Sequence, residues 1–323
     1  MRRGVRIVVA GMGFAALLAA AAALDLADRY QRPGPLPSAA SIIVPKGAAV
    51  PQIAQLLAAA NVITEPLIFR IAARLEGLDA SLRAGEYRFP PGVSMQQALA
   101  MLRQGDTVVR RITIPEGMSS LQVVSLLSEA DGLEGEIPAV PVEGALLPET
   151  YGYSWGDERS DMIRRMSSAL STTLDELWAN RAEGLPLASP REAVILASIV
   201  EKETGLPEER PRVAAVFLNR LRLGMKLQAD PTVTYAVYGA NAPPRPLTLA
   251  DLQHPSPYNT YLVGALPPGP IANPGRASLQ AVLRPAVSDE LFFVADGSGG
   301  HVFARTLEQH NRNVARWRKL NEQ

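Results

Sequence analysis

The 323-residue sequence contains no cysteine, which excludes disulfide scaffolds, cysteine-ligated metal centres and cysteine nucleophiles. Its 32 basic and 32 acidic residues balance, so the chain has no net charge that would attract nucleic acid. Aromatic residues make up only 6% of the chain, too few for a surface that stacks on bases. The composition therefore argues against a nucleic-acid partner, while 47% apolar residues can supply a sizeable core.

Motifs for metals and nucleotides are also missing. The chain has three histidines, and none of them lies in an H-E-x-x-H pattern. There is no aspartate-rich calcium loop and no G-x-x-x-x-G-K-[ST] phosphate loop. The sequence therefore predicts a protein without a metal site and without a cofactor.

Residues 7–24 form an uncharged run of 18 residues rich in alanine, leucine and valine. As a helix this run is about 27 Å long, close to the roughly 30 Å hydrocarbon core of a bilayer. Three arginines precede it and two aspartates follow, which predicts a cytoplasmic N-terminus and an exported remainder. Small residues at 19–23 leave a cleaved signal peptide as the alternative. The run is longer than a usual signal-peptide core, which favours an uncleaved anchor.

The pattern along the chain predicts four segments: a basic tip and transmembrane anchor at 1–28, a proline-rich linker at 29–40, a small module at 41–110 and a larger domain at 111–323. Near residues 42, 87 and 112 the chain repeats a short strand, a turn containing proline and glycine, and an amphipathic helix. The order strand–helix–helix–strand over 42–89 predicts a small α+β module of the size used by glycan-binding folds. A plain packing unit is the alternative interpretation.

Helical periodicity dominates after residue 160, over 162–178, 193–203 and 213–223. Residues 242–274 are rich in proline, glycine, asparagine and threonine, which predicts a long binding loop. A β-hairpin is predicted over 291–303, and an amphipathic helix from Leu307 ends the chain. The predicted fold class is therefore α+β, with an N-terminal transmembrane helix, a small βααβ module and a mainly helical domain.

Glu203 is the most informative candidate for chemistry. At 100° per residue it projects between Leu196 and Ile199, at the end of an apolar helical face. Glu201 projects about 160° away from it. Burial against aliphatic groups raises the pKa of a carboxyl, which is how a glutamic acid stays protonated and serves as a general acid. The alternative is that Glu203 reaches water or pairs with Lys202 or an arginine.

A second motif, Gly152-Tyr153-Ser154-Trp155-Gly156, matches the G-x-S-x-G nucleophile elbow. The elbow requires a hydrophobic strand before the serine and a helix directly after it. Here a proline interrupts the sequence upstream and three charged residues follow, which is typical of a surface turn. We therefore interpret the match as incidental.

Several segments together resemble one known family. They strongly resemble the YceG-like family, the endolytic murein transglycosylases, and stand in the same order. The segments are 143–151 (EGALLPETY), 197–204 (ASIVEKET), 216–221 (VFLNRL), 227–233 (LQADPTV), 258–261 (YNTY), 266–271 (LPPGPI) and 293–297 (FVADG). The resemblance extends over almost all of the exported chain.

The resemblance implies a lytic transglycosylase that cleaves MurNAc–GlcNAc β-1,4 bonds and leaves 1,6-anhydro-MurNAc ends. Such an enzyme would act in cell wall assembly, where it would terminate nascent strands. It implies that module 41–110 is LysM-like and that 111–323 is the YceG-like catalytic domain. The second glutamate of the E-K-E-T segment, Glu203, would be the catalytic residue. Residues that match family motifs would bind the glycan, namely Asn219, Arg220, Gln228, Asp230, Thr232, Tyr258 and Asn259.

The resemblance also implies a cellular location and binding partners. The protein would be a single-pass protein of the bacterial cytoplasmic membrane with an extracytoplasmic catalytic domain. Peptidoglycan glycan strands would be its substrate, and peptidoglycan synthases in the same membrane would be its protein partners. Two alternatives stay open at this point. One is a membrane-tethered murein receptor without catalysis, and the other is a water-using muramidase with Glu201 or Asp230 as a second carboxylate.

Overall fold

The computed structural model describes residues 2–78, 82–241 and 245–321. The chain forms two compact units. The first comprises Met1–Arg110 with the short segments Asp131–Leu133 and Gly152–Asp157. The second comprises Arg111–Ala130, Glu134–Tyr151 and Glu158–Gln323. Both are described separately below.

The first unit begins with helix α1 (Arg2–Gln31). Its residues Gly11–Gln31 are long and apolar enough to cross a membrane, and they are not buried against the protein. Within the described part of the chain this is the one helix that meets both conditions. The apolar N-terminal helix predicted from the sequence is therefore present, and its exposed surface suits a lipid environment.

The rest of the first unit is a small α+β module. Strand β1 (Ala40–Val44) pairs antiparallel with β2 (Gly85–Phe89), and helices α2 (Val50–Ala59) and α3 (Pro66–Leu75) connect them. Helix α4 (Met95–Gln104) follows β2. The core includes Ile53, Phe69, Tyr87, Phe89 and Leu99, all fully buried. The strand–helix–helix–strand order is thus the one that the sequence pattern predicts.

The segment predicted as a proline-rich linker, 29–40, is packed against this module. The Gly34 amide donates to the Gly92 carbonyl at 3.2 Å, and the Gly92 amide donates to the Leu36 carbonyl at 2.9 Å. The Leu36 side chain is buried in the module core. A Cβ at Gly34 would lie only 2.3 Å from the Val93 carbonyl oxygen, so this close approach requires glycine. The prolines therefore stiffen a segment that is packed against the module.

The three repeated turns share a backbone feature. Gly47, Gly92 and Gly117 adopt φ values of +75°, +65° and +75°, in the left-handed region that glycine tolerates. Each turn ends a strand and leads into a helix within three or four residues. The third copy lies at the start of the second unit, where β3 (Arg110–Thr113) precedes α5 (Ser120–Ser128). Strand β3 pairs with β4 (Thr150–Tyr153).

The second unit is mainly helical and is built around one buried helix. This helix, α7 (Pro190–Glu203), is buried at every position from Ala193 to Val200. The elements around it are α6 (Arg159–Ala179), α8 (Arg210–Arg222), α9 (Asp230–Tyr238), α10 (Leu249–Leu252) and α11 (Arg276–Leu283). An antiparallel hairpin, β5 (Phe292–Ala295) with β6 (His301–Ala304), and helix α12 (Leu307–Asn321) complete it.

The predicted binding loop, 242–274, begins at residues outside the described part, 242–244. From 245 onwards it is irregular apart from α10. Asn259, Thr260 and Asn273 are fully buried within it. Asn259 donates to the Leu252 carbonyl of the same loop, whereas Thr260 accepts from the Ala229 amide and Asn273 donates to the Met118 carbonyl. The coarse fold class, α+β with an N-terminal apolar helix, is confirmed.

Candidate active site

Helix α7 places Glu203 at the edge of the core. The helix begins where Ser189 accepts a hydrogen bond from the Glu192 amide and Pro190 fixes the first turn. It ends after Glu203 because Thr204 adopts an extended backbone (φ −139°, ψ 132°). Glu203 is therefore the last helical residue, and its carboxyl leaves the apolar core to reach the wall of a cavity.

This cavity, which we call the Glu203 cavity, has a volume of about 420 Å³. Its walls come from the end of α7, from α8, from the segment that leads into α9, from β5 and from α12. The lining residues are Glu203, Arg220, Leu227, Gln228, Asp230, Tyr261, Phe292, Phe293, Val294, Leu307, His310 and Val314. Half of these residues are apolar and half carry polar groups, and the convergence of polar groups on apolar walls is typical of ligand sites.

The Glu203 carboxyl is partly exposed to the cavity and otherwise surrounded by protein. Among the described residues it has no hydrogen bond or ion pair. Loss of hydration is the largest cause that raises its pKa, the charge of Asp230 adds to this effect, and Arg220 acts in the opposite direction, so that the pKa is about 8. The ion pair with Lys202 that the sequence left open does not form, since Lys202 Nζ donates to the Gly117 carbonyl at 3.4 Å. Glu203 is therefore protonated near neutral pH.

Asp230 is the second carboxylate of the cavity. It is exposed, and its Oδ1 accepts a hydrogen bond from the Tyr261 hydroxyl at 2.6 Å. Burial of Tyr261, together with its bond to Asp230, raises the pKa of the phenol and keeps it a donor. The cavity thus combines a neutral acid with a carboxylate that a phenol orients, an arrangement known from acid–base sites.

The backbone before Asp230 is held in an unusual conformation. Gln228 has a φ of +51°, which is uncommon for a residue other than glycine. Its amide donates to the Thr260 carbonyl at 3.1 Å, and the next amide, that of Ala229, donates to Thr260 Oγ1 at 3.0 Å. Thr260 therefore fixes the turn that carries Gln228 and Asp230 into the cavity.

Arg220 joins several parts of the cavity wall. Its guanidinium donates to the carbonyls of Leu291 and Leu227 and lies 5.3 Å from the centre of the Phe292 ring. Burial lowers the pKa of this guanidinium. Of the residues predicted to bind glycan, Arg220, Gln228 and Asp230 therefore line the cavity with Glu203.

The remaining four predicted residues lie behind the cavity walls. Asn219 donates both amide hydrogens to the carbonyls of Ser288 and Glu290, at 2.8 and 3.0 Å. Thr232 and Asn259 are fully buried, and internal hydrogen bonds occupy both side chains. Tyr258 packs on Tyr235, with 5.0 Å between ring centres. These residues shape the site, and a sequence motif cannot distinguish this role from direct contact with a ligand.

The structure adds cavity residues that the sequence did not single out. Tyr261 lay in a quoted motif without a role of its own. His310 is contributed by the terminal helix, and its ring stacks on Phe292 with 5.2 Å between centres. Its Nδ1 is buried and has no hydrogen-bond partner within the described chain. Burial and Arg220 lower the pKa of His310, which keeps the ring neutral.

Glu201 does not line the Glu203 cavity. Its side chain is only 4% exposed, and its two oxygens accept from Arg210 at 3.1 Å and from the Gly275 amide at 2.9 Å. Arg210 also contacts Glu116 at 3.0 Å. This carboxylate is a buried structural partner outside the cavity, so its position does not support a role as the second carboxylate.

The serine motif is a turn in the structure. The Ser154 amide donates to the Asp157 carboxylate at 2.8 Å. The Ser154 hydroxyl oxygen lies 3.2 Å from the Thr107 hydroxyl oxygen. A turn follows β4, where a nucleophile elbow would have a helix. In the described residues no group of three or more histidine, aspartate or glutamate side chains could hold a metal ion.

A second cavity of about 350 Å³ shares Asp230 with the first. Its other lining residues are Gly117, Ser119, Gln122, Lys202, Pro231, Thr234, Tyr235, Gly239, Ala240 and Ile271. Asp230 therefore borders both cavities.

Comparison with known proteins gives consistent results. A model of the YceG-like family matches residues 42–316. The chain is 30% identical to an endolytic murein transglycosylase of Bacillus subtilis, over 84% of this chain and 83% of that protein. It is 29% identical to one of Streptococcus pneumoniae, over 84% of this chain and 57% of that protein. It also resembles the crystal structure of a yceG-like protein of Listeria monocytogenes, with a TM-score of 0.54, 28% identity, and coverage of 85% and 98%.

Proposed function

The chain belongs to the YceG-like family, and on this basis we propose that it is a lytic transglycosylase acting on peptidoglycan, with Glu203 as its catalytic acid and base. One observation carries the assignment of the residue. Glu203 is an unpaired carboxyl at the wall of a cavity that is large enough for sugar rings, and its pKa of about 8 keeps it protonated.

The proposed reaction uses this one acid twice. Glu203 donates its proton to the bridging oxygen of the MurNAc–GlcNAc bond while the bond between that oxygen and the anomeric carbon breaks. The resulting carboxylate then removes the proton of the MurNAc 6-hydroxyl, and this oxygen bonds to the anomeric carbon. The products are a GlcNAc end and a 1,6-anhydro-MurNAc end, no water is consumed, and Glu203 is protonated again.

Asp230 supports this chemistry in two ways. Its negative charge keeps Glu203 protonated, as the raised pKa of Glu203 reflects. Glycoside cleavage also develops positive charge at the anomeric carbon, which a nearby carboxylate stabilises. The Tyr261 hydrogen bond holds the Asp230 side chain in place for both effects.

The two cavities around Asp230 support cleavage within a strand. An enzyme that cuts inside a polymer needs room for sugars on both sides of the broken bond. The Glu203 cavity offers this room on one side and the second cavity on the other. We therefore place the scissile bond beside Asp230.

Product analysis tests the proposal directly. Purified protein would be incubated with glycan strands in ¹⁸O-labelled water, and mass spectrometry would identify the new ends. We expect 1,6-anhydro-MurNAc ends without ¹⁸O. Reducing MurNAc ends that carry ¹⁸O would indicate a water-using muramidase, and intact strands with measurable binding would indicate a receptor without catalysis.

The pH dependence of cleavage follows from the pKa of Glu203. Since the protonated form begins the reaction, we expect kcat/KM to fall as pH rises through about 8. Asp230→Asn removes a negative charge that raises this pKa, so the falling limb should move to lower pH. Rates measured across the pH range for both proteins check this. If kcat/KM of Asp230→Asn fell at the same pH as that of the native protein, the coupling of the two carboxyls would be contradicted.

We further propose that the first unit tethers the enzyme and holds its substrate. Helix α1 would anchor the chain in the bacterial cytoplasmic membrane with the N-terminus inside, near the peptidoglycan synthases that supply nascent strands. The βααβ module would be LysM-like and bind glycan. A cavity of about 640 Å³ beside the turn at Gly47 and along α2 supports this role.

Variants of this module cavity test glycan capture. Gln55 and Leu56 lie on α2 and line it, and both are exposed. We expect Gln55→Ala combined with Leu56→Asp to raise KM for long strands and leave kcat unchanged, because a second contact raises the effective concentration of substrate. Cleavage kinetics on long and short strands check this, since short strands cannot reach both sites. Equal KM values for mutant and native protein on long strands would contradict the capture role.

A further inference from the structure

Helix α3 of the first unit presents a face that is exposed among the residues the structure describes. Leu67, Ile71 and Leu75 are 63%, 39% and 82% exposed and follow one another at four-residue spacing. Arg70 and Arg74 are exposed beside them. The opposite side of α3 packs into the module core through Ile68, Phe69 and Ala73. The exposed face therefore consists of an apolar stripe flanked by a cationic stripe.

The acidic groups at the ends of α3 are drawn away from this face. Glu65 accepts hydrogen bonds from Arg29 at 3.2 Å and from Arg32 at 3.1 Å. Glu76 accepts from Tyr30 at 3.1 Å and from Arg103 at 3.3 Å. Within the described residues of α3 and its two ends, the charged groups left beside the exposed face are consequently Arg70 and Arg74.

These bonds also tie α3 to the end of α1. Glu65 and Glu76 lie about 16 Å apart along the helix axis, at 1.5 Å per residue. Arg29, Tyr30 and Arg32 contact both ends from a single turn at the end of α1. Both ends of helix α3 are therefore tied to the end of α1. If α1 spans a bilayer, α3 lies near the surface of that bilayer.

The distance along α1 places α3 at the depth of lipid headgroups. The apolar run ends at Leu24, and Arg29 and Tyr30 follow about 8–9 Å further along the helix. The headgroup layer on each side of the hydrocarbon core is roughly 5–8 Å thick. Amphipathic helices with this composition lie at the same boundary, with the apolar face inserted and the cations near anionic headgroups.

We propose that the exposed face of α3 docks on the outer surface of the membrane, with Leu67, Ile71 and Leu75 inserted and Arg70 and Arg74 on anionic headgroups. The inference rests on the membrane anchoring proposed above. It gives the first unit two attachments to the bilayer, which fixes the orientation of the module relative to the membrane plane.

The absence of cysteine makes the test direct, because one introduced cysteine carries one label. Full-length Leu67→Cys and Leu75→Cys variants would be labelled with an environment-sensitive fluorophore. They would be reconstituted in phosphatidylcholine–phosphatidylglycerol vesicles, with and without brominated acyl chains. We expect emission shifted to shorter wavelength and quenching by the brominated chains. Leu17→Cys, within the proposed span, is the positive control, and the exposed Val287→Cys of the second unit is the aqueous control.

The outcomes separate the two proposals. Labels at positions 67 and 75 that behave like position 287, while position 17 is quenched, would overturn the docking of α3 and leave the anchor intact. An unquenched label at position 17 would overturn both the anchor and the docking, whereas glycan cleavage by the same sample would still support the enzymatic proposal. If the label at position 75 is shielded from water in native membranes but not in lipid vesicles, the lipid contact would be overturned in favour of a protein partner.

A charge variant tests the headgroup contact. Arg70→Gln with Arg74→Gln should reduce quenching at position 75 in the mixed vesicles to the level found in pure phosphatidylcholine. Equal quenching with and without the arginines would overturn their assignment to anionic headgroups.

Discussion

Replacing Glu203 by glutamine is expected to lower the rate of glycan cleavage by about 10²–10⁴-fold, the usual loss when an acid–base group is removed. Glutamine keeps the shape of the side chain but can neither donate nor retrieve the proton. The loss should appear in kcat, because the amide still occupies the same place in the cavity. Release of 1,6-anhydro ends, followed by mass spectrometry, measures it.

A stability measurement separates loss of chemistry from loss of fold. The pKa of Glu203 is about 8 in the folded protein against 4.5 for a free side chain, so folding favours the protonated form. The native protein should therefore lose stability as pH rises from about 4.5 to 8, and the Glu203→Gln variant should not lose this contribution. We expect the unfolding temperature of the variant to rise relative to the native protein over that range. An inactive variant with a lower unfolding temperature at pH 8 would contradict this interpretation.

Glu201→Ala is expected to destabilise the fold by about 3 kcal/mol, as when one partner of a buried ion pair is removed. The change leaves the Gly275 amide without its acceptor, and it leaves the largely buried Arg210 guanidinium with Glu116 alone. Unfolding in urea, followed by circular dichroism, measures the loss. The folded protein should still cleave glycan, because Glu201 lies outside the Glu203 cavity.

The chain offers a matched control for this measurement. Glu176 forms an ion pair with Arg276 at 2.8 Å, but both side chains are exposed. Glu176→Ala should therefore change the free energy of unfolding by less than about 1 kcal/mol. Similar losses for both variants would show that burial does not strengthen the Glu201 pair. An inactive but stable Glu201→Gln beside an active Glu203→Gln would reverse the catalytic assignment.

The contrast between these two glutamates shows where sequence reasoning ends. Helical projection identifies Glu203 as an acid at the end of an apolar face, because the angle between residues is a local property. The same projection cannot find the partner of Glu201. Arg210 and Gly275 lie 9 and 74 residues away in the chain, and only packing brings them to its carboxylate. Glu201 is well buried as well, so pairing, and not burial alone, separates this structural carboxylate from the candidate acid Glu203.

Local patterns determined much of the fold for a similar reason. The apolar run at 7–24 and the repeated strand–turn–helix segments depend on residue spacing and on the backbone preferences of proline and glycine, which act over a few residues. The docking of Leu36 into the module core does not depend on residue spacing or on these local backbone preferences. A proline-rich segment has the same sequence whether it is free or packed, and the contact with the Gly92 turn is decided by the tertiary fold.

The cavity itself is a tertiary property. Motif matching selected Asn219, Thr232 and Asn259 together with Asp230, because residues that hold a site and residues that face it occupy the same segments. The structure separates them by what their hydrogen bonds already satisfy. His310 and Phe292 reach the cavity because α12 folds back over the hairpin, more than 80 residues after Glu203. The sequence by itself therefore indicated Glu203 as the candidate acid and determined the apolar helix and the local elements, whereas long-range packing decided which groups surround Glu203 and set its pKa.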